Sequence, residues 1–315
     1  MATISTSTPV AKAAAQKRRR FRLRGETIEG YCFTLPWLIG FLAFSAAPMV
    51  ISVILIGMNW HLITPPHWVG MANINKMIHD RIFWITVGNT VYIVIFSVPT
   101  YLAVSFIFAL ALNVPLRGIN IYRIISYIPS QIPAVANALL WLWIFNPEFG
   151  IANALLNHVG LPSQQWFLDP ALAKPCLIIM GLWGLGSTIV IFLASLQNVP
   201  ISLQEAAMID GANAYRRFWN VTVPMVSPVI FFQLVIGIIG MFQAGFVNTY
   251  VITQGGPEYA TTVWTLYIYQ KGFQDFDMGY AAALSWALFI VVLGFTYVQF
   301  RLSRRWVYYE DSALR

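Results

Sequence analysis

Long apolar runs with almost no charge alternate along this chain with short polar stretches. A helix rises about 1.5 Å per residue, so about 20 residues cross the ~30 Å hydrocarbon layer of a bilayer. Six runs meet that length, at 31–57, 86–112, 124–145, 175–196, 225–250 and 279–300. They predict an all-α membrane protein with six transmembrane helices. Pro129 and Pro133 loosen the third, because each removes a helix hydrogen bond and frees backbone groups that are tolerable only against protein or a wet cavity.

The segment 202–224 interrupts the pattern between the fourth and fifth runs. Ser202 and Glu205 have capping-box spacing and predict a short helix with Ser202 as its N-cap. Gly211 is placed to end that helix in the left-handed conformation. Asn213 predicts the cap of a second short helix through Tyr215, Arg216, Arg217, Phe218 and Trp219, which stops before Pro224 opens the next span. Two short helices joined at a glycine make a protruding knob. By helix signals alone, an ordinary capped loop fits equally well.

Composition agrees with the pattern. Of 315 residues, 58% are hydrophobic and 10% charged, a balance that no soluble domain of this length covers with polar surface. Charge then orients the spans. Nineteen residues are Lys or Arg, and with the N-terminus inside only Lys76, Arg81, Lys174 and Lys271 fall outside. The remaining fifteen on the inner side predict cytoplasmic termini and a cytoplasmic 202–224 segment. The net charge of +7 therefore reads as topology and contact with anionic membrane lipid, not nucleic-acid binding. The chain divides into a basic N-tail at 1–27, a transmembrane domain at 28–303 and a C-tail at 304–315.

The first run has the basic flank of a signal peptide, and Ser45-Ala46-Ala47 looks like a cleavage site, but the run is about twice the length of an h-region. An uncleaved span is expected. Cys32 and Cys176 lie in apolar runs and read as small buried hydrophobes. His61, His67, His79 and His158 fall in loops without ligand spacing, so no metal site is expected. No charged side chain lies at hydrocarbon depth to serve as a proton or ion relay, and no lysine follows a phosphate-binding glycine turn. A pump with this sequence draws its energy from another chain. No nucleophile–base pair is present, so neither an enzyme nor a cofactor is expected. An ion-coupled secondary transporter is the alternative.

Glu205-Ala206-Ala207, Asp210-Gly211-Ala212, Phe218 and Val223-Pro224 resemble the "EAA" loop of ABC-importer permeases. The stretch WLWIFNPEFGIAN at 141–153, and the region from Thr253 onward with Gly255-Gly256-Pro257 and FDMGYAAALSW at 276–286, are similar to the carbohydrate-type permeases of the maltose and glycerol-3-phosphate systems. The resemblance covers about 28–303. It implies the type I ABC-importer permease architecture, a bacterial or archaeal inner membrane, and a coupling helix in which Glu205, Ala206, Ala207, Asp210 and Gly211 dock on an ATPase. The partners implied are a second permease chain forming a heterodimer, two ATP-binding subunits, an extracytoplasmic solute-binding protein and a sugar. Asn153 and Trp166 become candidate contacts for the binding protein.

A neutral sugar asks for amides, hydroxyls and aromatic faces without charge. The third span offers Asn137 and Trp141, the fourth Trp183 and Ser187, and the fifth Phe242, Gln243, Phe246 and Asn248. Interhelical hydrogen bonding by Asn137 and Gln243, with Trp183 merely packing, is the competing reading. The lack of a cationic pocket disfavours a phosphorylated solute.

Overall fold

The computed structural model describes residues 25–308, so the predicted tails before Gly25 and after Tyr308 lie outside the described residues. Helices dominate. In chain order they begin with α1 (Gly25–Phe41), a π-helical turn and α2 (Ala47–Ile56). A two-stranded antiparallel hairpin, β1 (Met58–Asn59) and β2 (His67–Trp68), leads to α3 (Ala72–His79) and the long α4 (Arg81–Leu112). Next come α5 (Ile119–Tyr127), α6 (Ala134–Ile144), α7 (Ile151–His158), α8 (Ala173–Gly181) and α9 (Gly186–Gln197). The chain continues through α10 (Ile201–Ile209), α11 (Ala214–Arg217), α12 (Val223–Ile252), α13 (Trp264–Tyr269) and α14 (Met278–Ser303).

Among the described residues, four helical stretches are long and apolar enough to cross a membrane, namely Glu29–Ile56, Arg81–Leu112, Ala214–Ile252 and Met278–Ser303. The predicted fourth span is a fifth candidate, broken between Gly184 and Gly186 and bent by 53°. The predicted third span is not one helix. It divides into α5, a 3-10 turn at Ile128–Gln131, extended backbone at Ile132 and Pro133, and the short α6. The reason is local, since the residue before a proline is driven out of the helical region.

The contacts divide the chain into two units, Met1–Ile51 and Ser52–Arg315. In the first, Cys32 is exposed on α1, contrary to the expectation of a buried hydrophobe. Cys176, in the second, is buried as expected. The second unit is built around α4, whose Val94, Val98, Leu102 and Ala109 pack with Ile189, Phe192 and Leu196 of α9 and with Val226 and Phe242 of α12. Gly186 permits a close approach at the bend. A Cβ there would lie 2.6 Å from Tyr127 Cα and 2.7 Å from Ser126 O, inside van der Waals contact with the segment leading to the 3-10 turn.

Candidate functional site

The polar interruption forms an exposed helix with a defined end. α10 carries Glu205 and Ala206 on its exposed surface, with Ala207 half-buried, and its C-cap Asp210 is exposed. Its start departs from the capping-box expectation. Pro200 is the N-cap, Ser202 already lies inside the helix, and no side chain caps the first turn. Proline suits that boundary because its lost N–H has no helical acceptor there and its φ is fixed near the value required. The other end follows the sequence reading. Gly211 sits at φ +79°, its N–H bonds Met208 O at 3.0 Å, and Ala212 N bonds Ala207 O at 2.9 Å. That pair of bonds is a Schellman closure, which only a left-handed residue completes.

Asn213 caps the next helix, accepting from Arg216 N at 2.9 Å. That helix does not stop before Pro224. It passes through a π-helical turn at Phe218–Thr222 into α12, giving one helical stretch, Ala214–Ile252. The predicted pair of short helices is therefore one short helix hinged at Gly211 to the foot of a long span. Proline at 224 is compatible with this, because the widened π turn leaves carbonyls without their usual donors. Gln204 ties the two parts together by donating to Thr222 Oγ1 at 3.0 Å.

Two cavities lie between the long helices. The first, about 370 Å³, is bounded by Val98 and Tyr101 of α4, Ser187 and Thr188 of α9, and Gln233, Gly237 and Met241 of α12. Its polar wall is a chain of donors and acceptors. Gln233 Nε2 donates to Thr188 Oγ1 at 3.0 Å, Thr188 Oγ1 to Tyr101 OH at 3.3 Å, and Tyr101 OH to Gly184 O at 3.3 Å, at the break in the fourth span. The second, about 220 Å³, is lined by Ile93 and Ser97 of α4, Asn137 of α6, Leu177 and Met180 of α8, and Gly245, Asn248 and Thr249 of α12. Met241 borders both.

The eight span residues singled out by sequence separate in this geometry. Asn137 and Asn248 meet at the second cavity, and Ser187 lines the first. Asn137 Oδ1 and Trp141 Nε1 are buried without a hydrogen-bond partner. Trp141 stacks on Phe145 and meets Trp183 edge to face at 6.0 Å. Phe246 joins Tyr250 and Tyr269 in an aromatic group. Phe242 is 1% exposed and packs on Phe295, while Gln243 is exposed two positions round the helix from Met241; neither lines the two cavities. Sequence reasoning missed Gln233, Thr188 and Tyr101. Gln233 was visible as a lone amide in an apolar run, one turn before Gly237.

At the hairpin end of the bundle, Asp80 caps α4 by accepting from Ile82 N at 2.8 Å and also accepts from the Tyr267 and Tyr280 hydroxyls, the latter at 2.6 Å. Burial opposes its ionisation, but the two hydroxyls and the backbone N–H groups of Ile82 and Phe83 outweigh it and hold Asp80 below the usual carboxylate value. Tyr267 is pushed up by its burial and by donating to Asp80. Asn153 is interior: its amide donates to Pro147 O and Gln164 O, and its oxygen accepts from Gln164 N and Trp166 Nε1, each at 2.9 Å. With 3% exposure it offers nothing to a docking partner, which corrects the sequence expectation. Gly255, at φ +92°, and Gly256 form the turn after α12, held by Thr262 Oγ1 to Gly255 O at 2.8 Å and Thr261 Oγ1 to Gly256 O at 2.7 Å.

Residues 102–308 match the family described as binding-protein-dependent transport system inner membrane component. The chain is 39% identical over 305 residues to the probable ABC transporter permease protein YesP of Bacillus subtilis, covering 95% of this chain and 98% of that one. Over 243 residues it is 36% identical to the sulfoquinovosyl glycerol transport system permease protein SmoG of Agrobacterium fabrum, covering 76% and 78%. A solved bacterial alginate ABC transporter, in complex with an alginate pentasaccharide-bound periplasmic protein, superposes with a TM-score of 0.80 over 89% of this chain and 95% of that one. At 24% identity, this last likeness is one of fold.

Proposed function

Because this chain belongs to the family of binding-protein-dependent transport system inner membrane components, we propose that it serves as one permease half of an ATP-driven importer for a sugar or oligosaccharide. The observation that carries this reading is the exposed α10, which closes at Gly211 and is tied by the Gln204–Thr222 hydrogen bond to the foot of the continuous helical stretch Ala214–Ile252. A stiff element passes a rigid-body displacement where a loose loop absorbs it. Closure of an ATP-binding dimer against Glu205, Ala206, Ala207, Asp210 and Gly211 would thereby shift α12, which walls both cavities.

The solute path runs through those cavities. The Tyr101–Thr188–Gln233 chain and the amides of Asn137 and Asn248 supply donors and acceptors among apolar walls, the mixture a saccharide requires. Two relatives are named for sulfoquinovosyl glycerol and sn-glycerol-3-phosphate transport, and the solved neighbour handles alginate. Six spans with both termini cytoplasmic, a second permease chain, two ATPase subunits and an extracytoplasmic binding protein complete the assembly.

The test is co-purification and then reconstitution. Wild-type chain should bring down an ATPase and support ATP-dependent uptake that survives collapse of the proton gradient. Gly211→Pro, which cannot adopt φ +79°, should stay in the membrane yet separate ATP hydrolysis from uptake. Normal uptake by that variant counts against α10 as the coupling element.

A further inference from the structure

Among the described residues at the hairpin end, Lys174 has no acid beside it. Among the described residues, Lys76 pairs with Asp277 at 2.6 Å and Lys271 with Asp275 at 2.7 Å, whereas Lys174 pairs with no carboxylate. Its ammonium donates to Asn89 Oδ1 at 3.1 Å and lies 5.1 Å from the Tyr92 ring centroid. Both partners are neutral. An ammonium carries three donors, and Asn89 accepts from only one of them.

Its place relative to the second cavity comes from helix register. Lys174 stands on α8 three residues before Leu177, which lines that cavity, and Asn89 stands on α4 four residues before Ile93, which lines it too. The pair therefore sits about one helical turn, ~5 Å, from the cavity wall toward the hairpin end. Ala173, Cys176 and Leu177 beside it are buried, so this part of α8 faces the bundle interior, and Lys174 itself is half-buried. A half-buried ammonium with only neutral partners gains most from an anionic oxygen, because charge-assisted hydrogen bonds are the stronger ones and an unpaired charge is costly away from water.

We propose that Lys174 is a specificity-determining residue that receives the carboxylate, sulfonate or phosphate group of an acidic saccharide as it enters the path. The proposal rests on the permease reading above and narrows its substrate class. It runs against the expectation, drawn from sequence, that the lack of a cationic pocket disfavours a phosphorylated solute. Asn89 extends the contact, since its amide donates to Tyr259 O at 2.7 Å and Thr262 O at 3.1 Å, in the segment after the Gly255-Gly256-Pro257 turn.

A lipid headgroup presents the same anionic chemistry, so the experiment separates the two sources. The complete importer is reconstituted in vesicles of phosphatidylcholine alone and with phosphatidylglycerol added. ATP-dependent uptake is measured for radiolabelled neutral, uronate, sulfonated and phosphorylated disaccharides. An acidic disaccharide should be taken up best in both lipids. Lys174→Gln, which still donates to Asn89, should lower its uptake about tenfold more than that of a neutral disaccharide, the factor expected for one lost charge-assisted contact. Lys174→Arg should restore most of the preference. A best substrate that is neutral overturns the proposal, as does an equal loss of all solutes in Lys174→Gln, which would make Lys174 a structural pin for Asn89. An effect confined to vesicles containing phosphatidylglycerol assigns the anion to lipid and also overturns it. Absence of ATP-dependent uptake for every disaccharide instead removes the importer reading beneath it.

Discussion

Asn153 and Asp80 each act through several hydrogen bonds at once. Asn153 satisfies all four of its amide capacities inside the α7 region, so Asn153→Ala strands several buried groups at once. Each such group costs about 1–3 kcal/mol, so thermal unfolding of the purified variant should begin several degrees lower. Asp80 behaves as a pH-dependent version of the same device. Its pKa is lower folded than unfolded, so the stability it contributes is fully present above the unfolded value of about 3.9 and is lost as pH falls through the folded value. Melting temperature should be insensitive to Asp80 ionisation between pH 8 and 5 and fall in stronger acid. Asp80→Asn should lower it at neutral pH and flatten the acid branch, and a melting series against pH in both proteins checks this.

At the scale of elements, continuity and interruption are both specified. Helical continuity from Ala214 to Ile252 makes the foot of α12 part of the proposed coupling element. Two glycines inserted after Arg217 should preserve association with the ATPase but cut solute uptake per ATP hydrolysed by tenfold or more, since helix interiors resist glycine and a flexible joint absorbs displacement. Comparing ATPase rate with uptake in vesicles decides it. The break in the fourth span is specified by crowding. Gly186→Leu drives a side chain into Tyr127 and Ser126, whereas a Cβ at Gly181 or Gly184 would have nothing within 4 Å. Overpacking costs about 1–3 kcal/mol or more, so Gly186→Leu should sharply reduce folded protein in membranes while Gly181→Ala and Gly184→Ala are tolerated.

For the whole molecule, α4 and α12 wall both cavities, and α12 is continuous with the helical stretch that begins at Ala214. The proposed orientation makes a simple prediction. In a variant without Cys32 and Cys176, a cysteine at Ile63 should react with an impermeant thiol reagent from outside intact cells, and one at Ile209 only after permeabilisation. Ile63 and Ile209 are 91% and 87% exposed, so access depends on the side of the membrane and not on burial.

Local information sufficed where the cause was local. Apolar run length marked α4, α12 and α14, Gly211 and Asn213 declared a helix end and a helix start, and the spacing around Glu205 and Gly211 carried the family. Boundaries set by competition between neighbouring residues were harder to read: Pro200 displaced Ser202 as cap, and a π turn fused a predicted short helix to the fifth span. Which polar groups share a cavity was settled only in three dimensions. Gln233, Thr188 and Tyr101 come from three helices, and Lys174 meets Asn89 across 85 positions of sequence. Periodicity tells how a helix is made and where it ends, because those forces act within a few residues. The rotation of each helix about its axis, and so which side chains face one another, is fixed by packing against the others, and no single stretch of sequence contains that packing.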